Sequence, residues 1–145
     1  KPFEEIEFGK GRILKEGKDL AVISIGHVGN YITEILPSLS KDGIDIAHYD
    51  LRFVKPLDES LLHDMFKRHH KVITLENGCL QGGVGSAILE FMTDNGYTAE
   101  VKRLGIPDKF IEHGKPMELH KECGYDPCSI KVAIKAMVSK KEFAI

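Results

Sequence analysis

Apolar positions along the chain alternate between two spacings. Leu20 to Ile25 (LAVISI) is an apolar run ended by Gly26, the signature of a strand buried on both faces. From Val28 the apolar residues Ile32, Ile35, Leu36 and Leu39 keep helical spacing, so this strand feeds a helix. The change recurs downstream. Ile44 to Tyr49 reads as a strand, and Leu61, Leu62, Met65, Phe66 and His69 form the next helical face. Val72 to Leu75 is a short β-branched run, followed by a helical stripe at Val84, Ala87, Ile88, Phe91 and Met92 that Asn95-Gly96 closes as a left-handed cap. Ala99 to Leu104 predicts a weaker strand, and Ile130, Ala133, Ile134, Met137 and Val138 a final helix. At the front, Ile6 and Phe8 alternate with Glu5 and Glu7 ahead of Arg12 to Lys15, which predicts one or two short half-buried strands.

Local signals sharpen the boundaries. Asp58 is placed to cap a helix, with Leu57 and Leu62 as a hydrophobic staple. Asp126-Pro127 has the N-cap and first-turn chemistry of the last helix, and Pro116 that of a short one stopping at Gly124. Pro37 lies deep in the first helix, where a kink near Thr33 or an irregular last turn is expected. Strands alternating with helices make an α/β layered sheet with mainly parallel strands. Residues 1–15 read as a linker and first edge strand, and 16–145 as a single domain. In such sheets ligands collect beyond the carboxyl ends of the strands where strand order reverses, and Gly26-His27 and Glu76-Asn77-Gly78 are the ends placed to share that crevice.

The candidate chemistry centres on Gly78, Gly82, Gly83 and Gly85, between the third strand and its helix. Such a turn can cradle an anion on free helix-terminal amides, or it can simply be tight. It has neither the lysine of a P-loop nor the G-x-G-x-x-G order of a dinucleotide fingerprint. Both readings stay open for Gly82, Gly83 and Gly85. His27, at a strand end, is a candidate acid, base or phosphate contact; Glu76 is a candidate carboxylate tying down the glycine turn; His113 is a candidate backbone cap or contact to a neighbouring domain. The remaining histidines are scattered, with His63 and His69-His70 assigned to a helix end, and none has zinc-ligand spacing. Asp50 and Arg52 read as a structural ion pair.

Composition narrows the classes. Charged residues make up 29% of the chain and the net charge is −2, which leaves no basic footprint for nucleic acid or an anionic membrane. No apolar run approaches the roughly 20 residues of a membrane span, and a cytoplasmic location is expected. Three cysteines make no disulfide framework and are read as reduced thiols. The first residue is Lys, and Lys1 to Gly11 reads as the middle of a connection, so the expectation is a piece of a larger protein.

Three stretches together carry a family resemblance: YDLRFVKPLD (Tyr49 to Asp58), VITLENGCLQGGVGSA (Val72 to Ala87) and LGIPDKFIEHG (Leu104 to Gly114). They closely resemble the C-terminal part of the 1-deoxy-D-xylulose-5-phosphate synthase family, thiamine-diphosphate enzymes of the transketolase superfamily. The first two occur more widely, including in 2-oxoacid dehydrogenase β subunits, and the third points to the synthases. The resemblance implies a three-layer α/β/α fold with a five-stranded, mostly parallel sheet and one antiparallel strand, for which Arg12 to Lys15 is the candidate. It implies a parent homodimer that condenses pyruvate, after loss of CO2, with glyceraldehyde 3-phosphate for isoprenoid synthesis. In the family the thiamine diphosphate and Mg2+ are held through a G-D-G motif of the first domain, and the activating glutamate belongs to the second. No G-D-G occurs here, and Glu76 does not match that glutamate. No catalytic, cofactor or metal residue is therefore expected in this stretch, and its partners would be the other domains of the same chain. Two alternatives are a free-standing nucleotide- or phosphate-binding module, and a partner-docking domain like that of the dehydrogenase β subunits.

Overall fold

The structure, a computed structural model, describes residues 5–140; residues 1–4 and 141–145, the outer ends of the two expected segments, lie outside the described residues. Ten elements follow in chain order: strand β1 (Arg12–Lys15), strand β2 (Leu20–Ser24), helix α1 (Gly29–Lys41), strand β3 (Ile46–Asp50), helix α2 (Glu59–Arg68), strand β4 (Lys71–Cys79), helix α3 (Val84–Asp94), strand β5 (Glu100–Ile106), helix α4 (Pro116–Glu122) and helix α5 (Pro127–Ser139). They form a five-stranded sheet in the order β1-β3-β2-β4-β5, with β1 antiparallel to β3 and every other pair parallel. This is the mixed three-layer α/β/α arrangement that the resemblance implies, with Arg12–Lys15 as the antiparallel strand.

Strand β2 occupies the centre, and its two faces feed two cores. Leu20 and Val22 point into one, with Ile32 and Leu39 of α1 and Ile130 and Ile134 of α5. Ala21 and Ile23 point into the other, with Leu62, Met65 and Phe66 of α2 and Ile88 and Phe91 of α3. All five residues of β2 are buried, which is why it reads as an apolar run and not as an alternation. Each wholly buried Leu or Ile stabilises the fold by about 1.5–3 kcal/mol relative to exposure.

The caps act where the sequence placed them. The Asp58 carboxylate accepts from Leu61 N at 3.2 Å, and also from Gly11 N at 3.0 Å, which ties the approach to β1 against the start of α2. Asp126 accepts from Cys128 N at 3.2 Å and Ser129 N at 3.4 Å at the head of α5. Asn95 and Gly96 close α3, with Gly96 at φ +69°.

Two expectations are corrected. Among the described residues before β1 there is no strand at Ile6 and Phe8; both are exposed, and Phe8 packs edge-on against Phe53 with ring centroids 5.3 Å apart. Gly9, at φ +74°, turns the chain there, so the alternation never meets a sheet. Helix α1 runs without a break across Pro37, which with Thr33 lies on the solvent side, and its last turn is irregular as expected, with Asp42 N reaching both the Ser38 carbonyl at 3.2 Å and the Leu39 carbonyl at 3.0 Å. Finally, β4 continues through Glu76, Asn77 and Gly78 to Cys79, past an irregular register after Leu75, so Glu76 belongs to the strand instead of following it.

Candidate functional site

The chain leaves β2 towards β3 on one side and returns through α2 to β4 on the other, so strand order reverses between β2 and β4. Beyond the carboxyl ends of these two strands lies a crevice of about 250 Å3 lined by Ile25, Gly26, His27, Glu76, Asn77, Gly78 and Val84. The two strand ends singled out in the sequence do meet here.

Glu76 dominates its geometry. The residue is 3% exposed, and its two carboxylate oxygens accept from Val84 N at 2.9 Å and Gly85 N at 2.8 Å. Those amides are among the unpaired donors at the start of α3, so the chain sets its own carboxylate where a helix terminus attracts an anion. The glycines permit this approach. A Cβ on Gly83 would lie 2.1 Å from the Cys79 carbonyl oxygen and 2.3 Å from the Glu76 carboxylate. Gly85 is buried against Thr74 and Arg103, and Gly82 takes φ +68° while donating its N–H to Ser86 Oγ at 3.2 Å. Arg103 completes the turn by donating to the Leu80 carbonyl at 2.6 Å and to Ser86 Oγ at 3.0 Å.

His27 is exposed on the crevice rim. His113 is exposed too, but it lines a neighbouring pocket of about 540 Å3 with Ile106, Leu119, His120, Cys123 and Tyr125. Asn77 borders both hollows. The structure thus brings His27 and Glu76 together and sets His113 one pocket away.

A chain of polar contacts between the two hollows was not legible in the sequence. Tyr125 donates its hydroxyl to Asn77 Oδ1 at 2.8 Å, its ring lies 4.7 Å from that of His120, and His120 Nδ1 is 2.9 Å from the Tyr31 hydroxyl. His27 stands 6.1 Å from His120, ring to ring. Burial lowers the pKa of His120, the nearby His27 adds to that, and Asp126 opposes it. Burial raises the Tyr125 hydroxyl and the Cys123 thiol. Tyr31 and His120 are 89 positions apart, so no local spacing could have paired them.

Other histidines take structural places. His63 leaves its assigned role at a helix end and instead packs on Phe91 with its Nδ1 2.7 Å from the Tyr97 hydroxyl. His48 is buried with Nε2 2.9 Å from Ser24 Oγ, and burial lowers its pKa to about 4. Asp50 pairs with Arg12 at 2.9 Å and more loosely with Arg52 at 4.0 Å. Among the described residues no three His, Cys, Asp or Glu side chains converge as a metal site would require, and no helix is long and apolar enough to cross a membrane.

Comparison with known proteins places this architecture. The chain is 59% identical over 129 residues to a 1-deoxy-D-xylulose-5-phosphate synthase of Cytophaga hutchinsonii, covering 89% of this chain and 20% of that protein. It is 56% identical over 130 residues to the synthase of Bacteroides thetaiotaomicron, again covering 89% of this chain and 20% of the relative. The chain therefore spans about a fifth of the length of the curated relatives it matches. Among solved structures, a protein described as "split gene transketolase, inactive beta4 tetramer" superposes with a TM-score of 0.85 at 29% identity, over 94% of this chain and 44% of that one. A model of the family described as "Transketolase, C-terminal domain" matches residues 9–130, most of the chain, and the chain belongs to that family.

Proposed function

We propose that the chain is the carboxy-terminal, largely non-catalytic domain of a 1-deoxy-D-xylulose-5-phosphate synthase, and that it serves dimer and interdomain packing. The observation that carries this reading is identity above one half over nearly nine-tenths of the chain to proteins of that name, of which it spans only a fifth. The parent, a cytoplasmic homodimer on this reading, condenses pyruvate with glyceraldehyde 3-phosphate, releasing CO2, with thiamine diphosphate and Mg2+ bound in its other domains. What supports placing that cofactor elsewhere is the crevice itself: its one carboxylate, Glu76, accepts from the chain's own Val84 and Gly85 amides, as a residue holding the turn would.

Contact with the missing domains falls to the carboxyl edge of the sheet. His27 and His113 are exposed there, and Phe110, in the loop carrying His113, is entirely exposed. Glu76 with Gly82, Gly83 and Gly85 holds the turn beneath that surface in shape.

Calorimetric titration of the 145-residue chain with thiamine diphosphate and Mg2+ tests the reading. The expected result is no binding tighter than about 1 mM, equivalent to roughly 4 kcal/mol. Micromolar binding would return the cofactor to this domain and overturn the assignment.

A further inference from the structure

The hollow beside the crevice, about 540 Å3 in volume, has apolar walls from Ile106, Ile111, Pro116 and Leu119 and a polar end formed by Asn77, His120 and Tyr125. His120 is 6% exposed, and its Nδ1 lies 2.9 Å from the Tyr31 hydroxyl. That hydroxyl has one proton and two acceptors within reach, the imidazole nitrogen and the Met117 sulfur at 3.2 Å. A thioether is the weaker acceptor, so the proton goes to Nδ1 and the imidazole carries its own N–H on Nε2. Nε2 has no partner among the described residues, and unlike the two nitrogens of His69 it is not sealed from solvent. It opens into the hollow that its side chain lines.

Asn77 supplies a second donor. Its Oδ1 accepts from the Tyr125 hydroxyl at 2.8 Å, which orients the amide and leaves Nδ2 without a partner among the described residues. Two N–H groups at one end of an apolar hollow call for an oxygen acceptor on a largely apolar molecule. The lining also selects its charge. No Lys or Arg is among the residues that form the hollow, and the exposed carboxylate of Glu112 stands on its rim. A carboxylate or phosphate would give up water, meet no cation and face a like charge, whereas a neutral carbonyl does none of these. Burial lowers the pKa of His120, the nearby His27 adds to that and Asp126 opposes it, so at pH 7 the ring offers a hydrogen bond and no charge. We propose that this hollow binds a small uncharged carbonyl compound with an apolar body, its oxygen accepting from His120 Nε2 and Asn77 Nδ2 and its body lying against Ile111 and Leu119. Tyr31 and Tyr125 are then positioning residues, one setting the tautomer of His120 and the other the orientation of Asn77.

Acetophenone and benzoate test this, because they match in size and differ in charge. Each is titrated into the 145-residue chain above pH 7 at constant ionic strength, and NMR follows the ring of His120 and the methyl groups of Ile111 and Leu119, with exposed His70 as the reference. Saturable shifts at the first three and none at His70 are expected with acetophenone, with a midpoint on the order of 1–10 mM for so small a molecule. Benzoate should bind more weakly by roughly fivefold or more. Asn77→Asp keeps the acceptor for Tyr125 but replaces the donor with a repelling oxygen, and should weaken acetophenone roughly tenfold with the circular dichroism spectrum unchanged. His120→Phe, which keeps a ring against Tyr125, should weaken it about three- to tenfold. Shifts that rise linearly without saturating, benzoate binding as tightly as acetophenone, or an unchanged acetophenone midpoint in either variant would overturn the proposal.

Discussion

Glu76 and Gly85 are joined by a 2.8 Å hydrogen bond from the Gly85 amide to a carboxylate buried nine positions earlier in the chain. That bond and its companion at Val84 fasten the end of β4 to the beginning of α3. Glu76→Gln keeps the shape but removes the charge from the helix terminus. We expect it to lower unfolding free energy by about 1–3 kcal/mol, and Glu76→Ala by more, since the amides would then be buried without partners. Urea unfolding monitored by circular dichroism measures both. Equal stability of all three proteins would show that the contact contributes nothing net.

Gly83→Val tests the same joint from the other side. The new Cβ would fall on the Cys79 carbonyl oxygen and the Glu76 carboxylate, and the carboxylate cannot withdraw without loosening its bonds to Val84 and Gly85. A loss of about 1–3 kcal/mol or more is expected by overpacking. Gly96→Ala is the control, because nothing lies within 4 Å of its Cβ position and only its φ of +69° is strained. Its cost should stay near 1 kcal/mol.

Acid should weaken the fold well before carboxylates titrate. His48 is neutral in the folded state down to about pH 4, whereas in the unfolded chain it takes up a proton near 6.5. Between those values the unfolded state binds the extra proton, so stability falls as pH drops from about 6.5 to about 4 and then levels off for this group. The full effect is on the order of 3 kcal/mol. His69 and His120 are shifted in the same direction and add to it. Urea midpoints across this range should fall towards acid, and His48→Gln should flatten the slope. A midpoint independent of pH from 7 to 4.5 would contradict the burial argument.

Phe110→Ala separates packing within the domain from packing between domains. In the isolated chain this wholly exposed ring has little to lose, and a change within about 0.5 kcal/mol is expected. If the proposed reading of the parent as a homodimeric synthase holds, the same substitution, or His113→Ala, in the full-length protein lowers dimer stability and rate together, as read by sedimentation and by assay. Normal dimers with a collapsed rate would move His113 into the chemistry.

Period and burial explain what could be read ahead of the structure. The β2 run, the α3 stripe and the caps at Asp58 and Asp126 are local, and each local preference agrees with the final packing. The meeting of His27 with Glu76 followed from a topological rule. The Tyr31–His120–Tyr125–Asn77 chain did not, because its members come from α1, α4, the loop before α5 and β4, and only the folded sheet brings them together. Ile6 and Phe8 mislead for the opposite reason: a true alternation lies next to a turn that points it at solvent.

The sheet order leaves β1 and β5 as its edges, and each carries charge along an open row of backbone groups. β1 is four residues long with Arg12 and Lys15, while β5 holds Glu100, Lys102 and Arg103 within seven. Stacking a second sheet edge against either would strip these charges of water, and on β1 would also set like charges near one another, so the molecule resists growing into ribbons of joined sheets. Removing Lys102 and Glu100 together would strip most of the charge from that edge, and the cost would appear as aggregation.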